Sequence, residues 1–89
     1  MARILVIDDE TAVRSVVGRM LRRGGHETME ASDGASGIEL LRSSAVDLVI
    51  IDIYMPGLGG LATIPLLRNT WPALKIIAVS SAGRAASSP

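Results

Sequence analysis

Two acidic signals and one hydroxyl stand at the ends of apolar runs in this 89-residue sequence. Asp8-Asp9 follows Arg3-Ile4-Leu5-Val6-Ile7, Asp52 follows Leu48-Val49-Ile50-Ile51, and Ser80 follows Lys75-Ile76-Ile77-Ala78-Val79. Brought together, the carboxylates would repel one another, and a divalent cation offsets that repulsion. Mg²⁺ suits such a place, because it accepts a few protein oxygens and keeps several waters. A carboxylate beside the cation can attack a phosphorus centre and become an aspartyl phosphate, while the metal offsets charge on the phosphoryl oxygens. A hydroxyl at Ser80 would bond such an oxygen only after transfer, which makes it a switch element rather than a stabilising one.

That chemistry requires the three run ends to meet, so the intervening elements decide whether it is possible. Short continuous apolar runs bounded by charge are expected of strands buried on both faces. From Glu10 the pattern turns helical, with Val13, Val16, Val17, Met20 and Leu21 on one stripe and Arg14, Arg19, Arg22 and Arg23 mostly off it. Arginines in the last turn suit the helix dipole, and Gly24-Gly25 ends the helix. His26 to Ala31 reads as a more polar strand near a sheet edge, Asp33-Gly34 as a turn, and Ser36 to Arg42 as a short helix. Met55-Pro56-Gly57 breaks the chain and Gly59-Gly60 keeps it loose. Leu61 to Asn69 reads as a third helix with a late start or a kink, since Pro65 lacks a donor and crowds the carbonyl of Leu61. Trp71-Pro72 is the next turn. The order β-α-β-α-β-α-β implies an α/β fold, a doubly wound parallel sheet with right-handed crossovers. In open sheets of this kind sites form at the carboxyl ends of strands, where both acidic signals and Ser80 stand.

Composition narrows the classes of function. Apolar residues make up 48 %, nearly all aliphatic, which is enough for a core and too much for a disordered chain. Nine basic and nine acidic residues cancel without a basic block, so a nucleic-acid surface is not expected. The absence of cysteine excludes disulfides and thiolate metal sites within this sequence. No apolar run approaches the ~18 residues of a membrane span, and no signal-peptide pattern opens the chain. The expectation is a soluble cytoplasmic protein.

Plainer explanations exist for single residues. Asp8-Asp9 could cap the first helix, Asp52 and Ser80 could be turn residues, and Met55 and Trp71 could simply pack. His26 has no second histidine for a metal pair, and the arginines at 14, 19, 22 and 23 read as a solvated helix face. Capping explains the first acids but not Asp52 in register with them.

Three segments in order resemble the successive signatures of response-regulator receiver domains in two-component signalling. They are Ile4-Leu5-Val6-Ile7-Asp8-Asp9-Glu10, Leu48-Val49-Ile50-Ile51-Asp52-Ile53-Tyr54-Met55-Pro56-Gly57, and Ile76-Ile77-Ala78-Val79-Ser80. Ala31-Ser32-Asp33-Gly34 resembles the turn after the family's second strand, and the likeness spans residues 2 to about 82. It implies a flavodoxin-like receiver fold with strand order 2-1-3-4. It further implies that Asp52 is the phosphoacceptor, that Asp9 and Asp52 bind Mg²⁺ directly with the backbone carbonyl of Tyr54, and that Asp8 acts through water. Ser80 would take the switch position, and the Tyr54 side chain would tune loss of the phosphoryl group. A sensor histidine kinase or phosphotransfer protein would be the donor. The chain's own chemistry would be at most self-phosphotransfer and autodephosphorylation, without turnover of an external substrate.

A complete receiver continues through a helix, a strand carrying a lysine, and a last helix. This sequence is expected to form an incomplete receiver over 1–82 with a flexible tail over 83–89. Lys75 sits at the wrong end of its strand to replace the missing lysine. Without a covering helix, Ile50 or Ile51 and Ile76 or Ile77 should open to solvent, and a homodimer through that face is the expectation. Two other functions compete: a pseudo-receiver acting as a dimerising interaction module, and a phosphatase of the haloacid dehalogenase type. The latter fits poorly, because its motif places a second aspartate where Glu10 stands. No Gly-x-x-x-x-Gly-Lys-Ser/Thr loop for a nucleotide occurs.

Overall fold

Seven elements alternate among residues 1–55 and 59–80, the part of the chain that the computed structural model describes. They are β1 (Arg3–Ile7), α1 (Thr11–Arg23), β2 (Glu27–Ala31), α2 (Gly34–Ser43), β3 (Leu48–Asp52), α3 (Gly60–Thr70) and β4 (Lys75–Val79). The strands pair in parallel in the order β2-β1-β3-β4, as expected. The register is continuous: Leu5 pairs with Met29 on one side and Val49 on the other, and Val49 with Ile76. Pro56-Gly57 and the expected tail over 83–89 lie outside the described residues.

Side chains alternate across a strand, so each sheet face is read from every second residue. Leu5, Ile7, Val49 and Ile51 point to one face, where Ala31, Leu41 of α2 and Leu67 of α3 complete a buried cluster. Ile4 and Val6 point to the other face and are also buried. There, among the described residues, α1 packs against β1 and β2 and leaves β4 largely uncovered. Ile77 is 48 % exposed, whereas Ile76 packs against the core cluster. The alternatives left open by the sequence therefore resolve to Ile50 and Ile77 on the open face and Ile51 and Ile76 on the covered one.

Three local expectations need correction. The second helix begins at Gly34 rather than Ser36, because Asp33 accepts a hydrogen bond from the Ser36 N–H at 2.7 Å and caps it. The third helix does not start late: it begins at Gly60 and continues through Pro65. The carbonyl that Pro65 deprives of its i+4 donor belongs to Leu61, a residue that is 67 % exposed. Gly59 and Gly60 are buried packing positions rather than a loose segment. A Cβ on Gly60 would lie 2.5 Å from Ile53 Cα and closer still to the Asp52 carbonyl oxygen. Only glycine lets α3 seat directly on the end of β3. Gly25, by contrast, serves conformation: its φ of 89° ends α1, and its N–H donates to the Arg22 carbonyl.

Candidate functional site

The last register pair of β1 and β3 is Ile7 with Ile51, so the next residues, Asp8 and Asp52, emerge side by side. Adjacent strands lie about 4.8 Å apart. Both acids are nearly inaccessible, at 2 % and 1 % exposure. Each then bends its own chain in the same way. Asp8 Oδ1 accepts from the Glu10 N–H at 2.9 Å, and Asp52 Oδ1 accepts from the Tyr54 N–H at 2.9 Å. These short side-chain-to-backbone bonds turn the loops over the strand ends. The simple capping reading of Asp8-Asp9 is thereby overturned: Glu10 is the N-cap residue of α1, and its side chain makes no capping bond.

Asp9 and Glu10 are exposed above the buried pair. Carboxylate oxygens of Asp8, Asp9 and Glu10 come within 4.8 Å of one another, and Asp52 stands outside that compact set. Burial pushes the Asp8 carboxyl above its ordinary range, and the negative charges of Asp52, Asp9 and Glu10 push it further; the Glu10 N–H opposes them. Desolvation and repulsion both disfavour its charged form. Hard carboxylate oxygens without imidazole or thiolate are the donor set of Mg²⁺ or Ca²⁺, so these residues fit the cation expected from the sequence.

Ser80 follows β4 and is exposed. Together with Asp8 it borders a cavity of about 280 Å³ floored by Val6 and Ile50 and walled by Val13 and Val17 of α1. The Tyr54 residue is 51 % exposed beside Asp52. A larger cavity of about 840 Å³, bordered by Ala2, Asp47, Trp71 and Lys75, lies at the opposite ends of the strands, away from the acids. The expected residues Asp8, Asp9, Asp52, Tyr54 and Ser80 therefore all stand at one carboxyl edge, whereas Lys75 begins β4 at the other. Two neighbours escaped the sequence reading. Glu10 was visible as the third acid of a contiguous run. Arg14 was placed on the solvated face of α1, but its side chain folds onto the site and is only 14 % exposed.

Comparison with known proteins agrees with this geometry. The family model described as "Response regulator receiver domain" matches residues 4–88. The response regulator MprA of Mycolicibacterium vanbaalenii is 38 % identical over 79 residues, which are 89 % of this chain and 34 % of MprA. The chain thus spans about a third of that curated relative's length. Among solved structures, the Thermotoga maritima response regulator TrrA in complex with Mg²⁺-BeF superposes with a TM-score of 0.84 at 37 % identity, covering 96 % of this chain and 76 % of TrrA. A complex of the histidine kinase ThkA with TrrA contains a match with a TM-score of 0.85 at 37 % identity, covering 91 % of this chain and 70 % of the matched one.

Proposed function

This chain belongs to the response regulator receiver domain family, and from that premise we propose that it accepts a phosphoryl group from a histidine kinase or phosphotransfer protein on Asp52. The observation that carries the reading is the buried pair of Asp8 and Asp52, held side by side although their charges repel. A fold keeps such a pair when a cation and an incoming phosphoryl group use it. Asp52 Oδ forms a bond to phosphorus while the bond from phosphorus to the donor's imidazole nitrogen breaks, and the imidazole leaves with the electron pair. Asp9, Asp52 and the Tyr54 carbonyl would hold Mg²⁺, with Asp8 acting through water, and the cation would supply positive charge against the phosphoryl oxygens. The Tyr54 N–H donates to Asp52 Oδ1 and so orients the carboxylate that acts as nucleophile. Ser80 takes the hydrogen bond to the product, and hydrolysis by the module itself ends the signal. The same reading puts the module in the cytoplasm. No described helix is long and apolar enough to cross a membrane.

Incubation with acetyl phosphate and Mg²⁺, followed by intact-mass measurement, tests this. One hydroxylamine-labile phosphoryl group should appear, vanish in Asp52→Ala and persist in Ser80→Ala. Labelling that survives loss of Asp52 places the chemistry elsewhere.

A second reading, a pseudo-receiver that acts as a homodimerising interaction module, is favoured by the open sheet face. Ile77 and Val79 are 48 % and 37 % exposed, and Val16 and Met20 of α1 are 53 % and 67 % exposed. A second copy would cover this face, and absence of labelling together with a stable dimer would favour the module over the phosphoacceptor.

A further inference from the structure

Among the described residues Arg14 makes three polar contacts, and all of them converge on the acidic loop or on what flanks it. Its Nη1 donates to the backbone carbonyl of Asp8, its Nη2 to Thr11 Oγ1 at 3.2 Å, and its Nε to Glu30 Oε1 at 3.3 Å. The Asp8 backbone is held on its N-terminal side too, because the Asp8 N–H donates to the Ala31 carbonyl at 3.1 Å. Glu30 and Ala31 belong to β2, so the guanidinium ties the β1–α1 loop to the neighbouring strand as well as to its own helix. The planar fork of arginine serves three acceptors in fixed directions, which a lysine ammonium on its flexible stem does not reproduce.

We propose that Arg14 is a positioning residue for the cation site. By clamping the Asp8 carbonyl between α1 and Glu30, it fixes the turn from which the carboxylates of Asp8, Asp9 and Glu10 project. It touches neither the metal nor the phosphoryl group. This inference rests on the phosphoacceptor reading of the same site. Its direction is opposite to that of simple charge: deleting a cation near a Mg²⁺ site should tighten binding, whereas loosening the turn should weaken it.

The test combines Mg²⁺ titration by calorimetry with amide hydrogen exchange on metal-free protein, for wild type, Arg14→Gln, Arg14→Lys and Glu30→Gln. Loss of a residue that orients metal ligands weakens affinity by about tenfold or more. Arg14→Gln should therefore bind Mg²⁺ about tenfold more weakly, with Arg14→Lys and Glu30→Gln in between. The Glu10 amide, held by Asp8 Oδ1, should exchange faster in Arg14→Gln, while the core amides of Leu5 and Val49 keep their protection. Unchanged or tighter Mg²⁺ binding overturns the proposal, as does acceleration spread uniformly over the core. If Arg14→Gln does not fold, Arg14→Lys and Glu30→Gln decide by the same criteria. If wild type binds no Mg²⁺, the phosphoacceptor reading fails separately. The Glu10 amide then decides on the clamp, and unaltered exchange there overturns it.

Discussion

Asp8 and Asp52 stand opposite each other one step beyond the last backbone pair of two adjacent strands, each nearly closed to solvent and each bound to the N–H two residues ahead. The arrangement stores electrostatic repulsion at the carboxyl edge of the sheet. Its consequences for stability are measurable without any phosphodonor.

The raised Asp8 carboxyl sets a pH dependence. A carboxyl whose pKa is higher in the folded chain binds its proton more tightly there, so it favours folding while protonated. That contribution is full below the ordinary value of 3.8 and is lost as pH rises through the folded value. Metal-free protein should gain stability as pH falls from neutrality into that window. Asp33 acts oppositely: the Ser36 N–H and hydroxyl lower its carboxyl, and its contribution is lost as pH falls through the lowered value. At neutral pH Asp8→Asn keeps an oxygen for the Glu10 N–H and removes the repulsion, and should stabilise the apo protein by on the order of 1 kcal/mol. Urea melts at pH 7 and pH 5 check this. A destabilised Asp8→Asn would show that the charge is not a burden.

Mg²⁺ should relieve the same repulsion. Binding to the folded state alone adds about 1.4 kcal/mol at ten times the dissociation constant. A higher melting temperature in millimolar Mg²⁺ is expected for wild type, with the increment gone in Asp9→Asn and Asp52→Asn. Identical melting curves with and without Mg²⁺, and no heat of binding, would remove the metal site.

Gly60 and Gly25 should respond differently to alanine. A Cβ at Gly60 collides with the backbone of Asp52 and Ile53. Gly60→Ala should cost about 1–3 kcal/mol, as overpacking does, and should weaken Mg²⁺ binding by shifting Asp52. Gly25→Ala meets open space but carries a φ of 89°. It should cost about 1 kcal/mol and leave Mg²⁺ affinity unchanged. Equal effects of the two on metal binding would separate Asp52 from the seat of α3.

The open face makes a further expectation. β4 lies at one edge of the sheet, and its Ile77 and Val79 are exposed. An apolar edge strand invites pairing with another chain. Light scattering after size exclusion should show a dimer at micromolar concentration, shifted to monomer by Ile77→Lys. A monomeric wild type that binds no exposed-surface dye rejects this.

The sequence alone determined the alternation of strands and helices, since apolar runs of four or five residues and a 3.6-residue stripe are local patterns. It also determined that Asp8, Asp9, Asp52 and Ser80 stand at the same edge of the sheet: each comes at a strand end, and parallel strands end at one edge. Strand order 2-1-3-4 was reached through family resemblance, because alternation by itself does not say which strands are neighbours. Other features were decided only in three dimensions. Whether Ile50 or Ile51 is covered depends on which face α2 and α3 occupy, which a run apolar on both faces does not reveal. Gly59-Gly60 read as looseness, because the backbone of Asp52 that Gly60 touches is brought there by the crossover. Arg14 read as solvated, because its partner Glu30 sits on a strand that becomes a neighbour only when the sheet forms. Local periodicity governs elements and their ends, whereas contacts between elements depend on how the sheet brings distant segments together.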